Sequence, residues 1–196
     1  MKKSNQIKKM VGVASLAAIV SVLQVIANYI TFGPVSITLA LIPLVIGGII
    51  YGPSAGALLG IIMGGIILTA PSTASFLAVN AFATVVLCLV KTAAAGWFAG
   101  FIFSKLRKIN FKLAVIVSTI SVPLINTGLF AVGCILFFMP TLKEWAGGSN
   151  ALTFLFITMI GINFLIEFSV NSILAPTVMY IVRVISNNLN IGTRTN

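Results

Sequence analysis

The chain contains no histidine and no aspartate, and its only acids are Glu144 and Glu167. A zinc centre needs three or four His, Cys or carboxylate ligands, and Cys88 and Cys134 cannot supply them. Aspartyl, metallo- and His-dependent serine hydrolases each lack a required group, so no catalytic residue and no metal site is expected. No G-x-x-x-x-G-K-[ST] run occurs, which excludes ATP cleavage by the chain itself, and no cofactor is expected. The two cysteines sit far apart in apolar runs and read as small buried hydrophobes. Charged residues of all kinds make up only 7% of the sequence. A water-exposed globule carries roughly 25%, so a soluble domain is excluded as well.

What fills the chain instead is hydrocarbon. Of 196 residues, 59% are hydrophobic, and the mean hydropathy is +1.17. Six spans of about 20 residues fit this content, giving one all-α integral membrane domain over residues 1–196. A polar segment, Met1–Lys9, precedes an apolar run predicted as a first helix over about 10–30. Thr31–Thr38 reads as a loop or re-entrant segment, and a second helix covers about 36–51. The Gly52-Pro53-Ser54 step reverses the chain into a third helix, about 55–69. A turn at Ala70–Thr73 leads to a fourth, about 76–104, and a basic loop, Lys105–Lys112, to a fifth, about 113–139. Pro140–Asn150 reads as a polar loop before a long sixth helix, about 151–186, and a polar tail.

Six spans place both termini and the basic loop on one side. That side gathers Lys2, Lys3, Lys8, Lys9, Lys105, Arg107, Lys108, Lys112, Arg183 and Arg194, whereas Lys143 lies opposite. The positive-inside rule makes it cytoplasmic. The +10 net charge is therefore topological and predicts attraction to anionic membrane lipid, not a nucleic-acid partner.

Two small-residue patterns stand out. Gly48, Gly52, Gly56, Gly60 and Gly64 recur every four residues, and within the third helix they form a smooth strip suited to close internal packing. Ala14 and Ala18 make a small-xxx-small pair on the first helix, where a partner subunit could dock.

Polar side chains at membrane depth are costly and therefore informative. Counting inward from the ends away from the basic loop, the fourth helix carries Asn80, Thr84 and Lys91. The fifth carries Asn126 and Thr127, and the sixth carries Asn163, Glu167 and Asn171 on one face. Lys91 and Glu167 fall at nearly equal depth. Two roles are open: an ion pair cancelling two buried charges, or part of a site for a polar small molecule. Asn80, Thr84, Lys91, Asn126, Asn163 and Glu167 are the candidate substrate-binding residues, since amides offer both donor and acceptor to a neutral or singly charged solute.

The whole pattern resembles the S components of energy-coupling factor transporters. The stretch I-P-L-V-I-G-G-I-I-Y-G-P-S-A-G-A-L-L-G, Ile42–Gly60, carries the likeness most specifically, together with the basic N-terminus, the Ala14–Ala18 pair and the long first loop. The resemblance implies a bacterial cell-membrane protein that captures a vitamin-like molecule from outside, in a pocket closed by the first loop and the outer halves of helices four to six. It also implies association with a transmembrane T subunit, contacted through Ala14 and Ala18, and with two ATPase subunits that hydrolyse ATP; the S component topples in the membrane to release its cargo. Thiamine-type members use several pocket tryptophans, whereas this chain has only Trp97 and Trp145. Pro123–Phe130 (P-L-I-N-T-G-L-F) and Asn163–Asn171 (N-F-L-I-E-F-S-V-N) look most like pantothenate-type members. Riboflavin, pyridoxine-like compounds and folate are the alternative cargoes, and an autonomous channel or secondary transporter is the alternative class.

Overall fold

The computed structural model describes residues 2–29, 31–32, 35–36 and 40–189, and nearly all of them are helical. The first helix, α1, spans Lys2–Tyr29. A two-residue antiparallel ladder follows, β1 (Thr31–Phe32) with β2 (Val35–Ser36). The rest of the expected Thr31–Thr38 loop, residues 37–39 of the expected second helix, and the tail with Arg194 lie outside the described residues, while Ser36, the expected start of that helix, pairs in β2 instead.

Helix α2 (Leu41–Tyr51) is apolar all round, and nine of its residues, Leu41 and Pro43–Ile50, are buried. A helix without a polar face belongs in the centre of a bundle, and that is where it packs. At 11 residues it rises about 16 Å, roughly half the hydrocarbon thickness, so it does not span alone. Gly52, at φ 96°, stops it in a conformation that L side chains rarely adopt, and Pro53 opens α3 (Pro53–Ile67).

The third apolar run also bends. Pro71 starts a new helix, α4 (Pro71–Val79), at 84° to α3. The expected helix over 76–104 is therefore divided, because Asn80 takes an extended conformation and caps α5 (Ala81–Leu106). Helix α6 covers Phe111–Phe137. The expected polar loop after it holds a short helix, α7 (Met139–Trp145), pinned by the fully buried Leu142. The last span is not one regular helix. α8 (Ala151–Thr153) passes into a π-helical turn, Phe154–Met159, before α9 (Gly161–Leu189).

Among the described residues, four helices are thus long and apolar enough to cross a membrane, or five if the α3–α4 pair counts as one broken span. Among the described residues, α2 is too short to span alone and α4 bends away from α3, so fewer full-length spans are seen than the six expected.

The glycine strip does the internal work expected of it. A methyl on Gly56 or Gly60 would overlap the backbone of α5 at Gly96 and Thr92, and one on Gly64 would lie 2.6 Å from the Cys88 carbonyl oxygen. Gly96 and Gly100 face back onto Gly56, Gly48 and Pro53. The two helices meet backbone to backbone, which only glycine permits. This crossing fixes α5 against α2 and α3. Tyr51, at the end of α2, packs against Gly12 of α1, so the α2–α3 turn lies between the Gly12 region of α1 and the Gly100 region of α5.

Candidate functional site

A cavity, partly open at its mouth, lies between α4, α5, α6 and α9, toward the end of the bundle away from the basic Lys105–Lys112 loop. Helical spacing builds the wall. From α5 come Thr84, Leu87, Cys88 and Lys91, at i, i+3, i+4 and i+7. Helices α4, α6 and α9 each add residues at i, i+1 and i+4: Ser72, Thr73 and Phe76; Asn126, Thr127 and Phe130; Asn163, Phe164 and Glu167.

One part of the wall is aromatic. Phe76 sits edge-to-face with Phe130 (5.8 Å), Phe138 (5.2 Å) and Trp145 of α7 (5.2 Å). Such pairs are ordinary packing, but here they tie α4, α6 and α7 together over the cavity. The other part is polar. The Lys91 ammonium lies 4.7 Å from the centroid of Phe130, a cation–π distance. The Asn126 side chain is 6% exposed, and its amide oxygen has no hydrogen-bond partner among the described residues. Asn163, 4% exposed, donates through Nδ2 to the Met159 carbonyl at 3.2 Å, a carbonyl of the π-helical turn. Glu167 is buried, and its backbone carbonyl accepts from Asn171 Nδ2 at 2.8 Å. Thr84 spends its hydroxyl proton on the Asn80 carbonyl at 2.8 Å, which leaves its oxygen able to accept.

Of the candidate residues, Thr84, Lys91, Asn126, Asn163 and Glu167 share this one cavity. Asn80 does not line it. Its amide oxygen accepts from the Ala83 backbone N–H at 3.0 Å, and the side chain is exposed. The break that ends α4 makes Asn80 a helix cap. Ala14 and Ala18 are exposed on α1, among the outward-facing Val11, Val22 and Ile26. The phenylalanines, Ser72 and Thr73 were missed in the sequence. Phenylalanine in an apolar chain carries no signal, and Ser72 and Thr73 resemble ordinary turn residues.

Long apolar helices around a partly open cavity with aromatic and polar walls are those of a multi-pass membrane protein. Residues 8–179 match the family model described as ECF transporter, substrate-specific component, and the chain belongs to that family. It is a substrate-specific transport subunit and not a catalyst. Among curated proteins, none matches the chain.

Proposed function

We propose that the protein is the high-affinity vitamin-binding S subunit of an ATP-driven importer in a bacterial cell membrane, with pantothenate as its cargo. The cavity carries this reading. Its amides, hydroxyls and single lysine suit a flexible solute bearing a carboxylate, an amide and hydroxyls, while the phenylalanines suit that molecule's branched apolar centre. Thr84, Lys91, Asn126, Asn163 and Glu167 are the proposed contacts; Asn80 serves by capping the helix that presents Thr84 and Lys91.

The proposed topology keeps six membrane segments, with α2 as a short central one and both termini cytoplasmic. The packing of Tyr51 on Gly12 supports it, because that contact sets the α2–α3 turn near the Lys8–Lys9 end of α1. Ala14 and Ala18 form the proposed contact with the T subunit, and two ATPase subunits supply the energy. Mass spectrometry of small molecules co-purifying with the protein tests the cargo. Recovery of pantothenate, with binding lost on adding Asn126→Leu, is the expected result. Recovery of riboflavin, folate or a pyridoxine-like compound would replace the cargo and leave the subunit class intact.

A further inference from the structure

The bend between α3 and α4 creates a problem that α1 solves. Pro71 has no N–H, so the Ile67 carbonyl loses its regular i+4 donor. It receives the Ala70 N–H at 3.0 Å and the Thr73 hydroxyl at 2.9 Å instead. The Ala70 N–H is thereby taken from Ile66, whose carbonyl turns to Thr69, N–H at 3.0 Å and hydroxyl at 2.7 Å, and to Asn28 Nδ2 of α1 at 3.0 Å. Asn28 Nδ2 also lies 3.2 Å from Thr69 Oγ1. Gln24, one turn earlier, donates to Asn28 Oδ1 at 2.9 Å and so fixes which face of the amide meets the bend. Gln24 and Asn28 are 0% and 2% exposed. Both amides are shielded from solvent, so the Asn28 amide and the freed carbonyls hold one another.

Neither Gln24 nor Asn28 touches the cavity, but the bend they hold does. Ile67 precedes it, and Ser72, Thr73 and Phe76 follow it within the wall. We infer that Asn28 is a positioning residue: it latches the α3–α4 bend and thereby sets the cavity wall formed by Thr73 and Phe76. The inference rests on the cavity being the ligand site, but its first test does not.

Backbone hydrogen–deuterium exchange is measured on the ligand-free full chain in detergent. The variants are Asn28→Leu, which keeps the volume and removes the donor, and Val20→Ala, a fully buried apolar change on the same helix. Asn28→Leu is expected to speed exchange across residues 68–79 about three- to tenfold, the equivalent of one interhelical hydrogen bond in a membrane protein. Exchange over 83–103 of α5 should stay at the parental rate. Val20→Ala should lower thermal stability without this localised effect. Thr69→Val, which removes one of the two acceptors, should fall between. Asn28→Ser, too short to reach the bend, serves if Asn28→Leu does not accumulate, with the same expectation. Unchanged exchange at 68–79, or an equal rise in Val20→Ala, overturns the latch.

Labelled pantothenate then reads the cavity. Faster dissociation from Asn28→Leu with an unchanged association rate supports the positioning role, and an unchanged dissociation rate overturns it. A parent protein that fails to bind pantothenate counts against the proposed cargo alone, since the exchange result stands without ligand.

Discussion

Lys91 and Glu167 are the two formally charged side chains of the cavity wall, and they give the sharpest test of how the site is balanced. Lys91→Met keeps the length and the apolar stem but leaves the Glu167 carboxylate, 5% exposed, as the wall's one formal charge. Taken as a buried ion pair, the two charges would cost about 3–5 kcal/mol to break from one side. Lys91 is only half-buried, so the lower edge, about 3 kcal/mol, is the expected loss. The contact with Phe130 at 4.7 Å disappears as well and accounts for about 0.5–1 kcal/mol of that loss. For a chain of this size the total corresponds to a fall in Tm of about 6–12 °C. Adding Glu167→Gln removes the remaining charge and should restore all but the cation–π share, about 1–4 °C. The assay is a thermal-shift double-mutant cycle on the purified chain, run with and without ligand. A ligand-free Tm that does not move in Lys91→Met, with binding abolished and no rescue by Glu167→Gln, would refute the charge-balance argument and assign the amine to a carboxylate on the cargo.

Four further outcomes are expected. Gly56→Val should lower Tm strongly or prevent accumulation of the folded chain, because its side chain would enter the Gly96 backbone; near-parental melting would show that α3 and α5 can separate at little cost. Asn163→Ala should weaken pantothenate binding about tenfold, read by isothermal titration, as expected for one lost hydrogen bond of about 1.4 kcal/mol. Ala14→Trp or Ala18→Trp should reduce co-purification with the T and ATPase subunits while binding to the solitary chain persists; loss of binding with intact co-purification would contradict the docking role. In liposomes the chain alone should bind cargo but not accumulate it, and accumulation without the ATPase partners would point to an autonomous transporter.

Much of this molecule is legible before it folds. Too few charges, no His or Asp, and long apolar runs dictate a membrane-embedded helical protein, because lipid offers no partner to an exposed peptide group. Gly56, Gly60 and Gly64 reveal a close helix crossing, since their spacing places them on one face whatever they meet. The same periodicity draws attention to Thr84, Lys91, Asn126, Asn163 and Glu167, because polar groups at membrane depth are expensive wherever they occur.

Tertiary structure decided what local pattern does not encode. Asn80 looks like a cavity residue when its helix is drawn straight, but the break between α4 and α5 turns it into a cap. Phe76, Phe130, Phe138 and Phe164 are indistinguishable from lipid-facing phenylalanines until four helices place them around one space. Asn28 could have been any buried amide. Its role depends on a carbonyl 38 residues away that is freed by a proline further on. Composition and periodicity act along the chain and fix its solvent and its helices. Bends, caps and cavities arise where separate segments satisfy one another's unpaired groups, and those meetings exist only in the folded bundle.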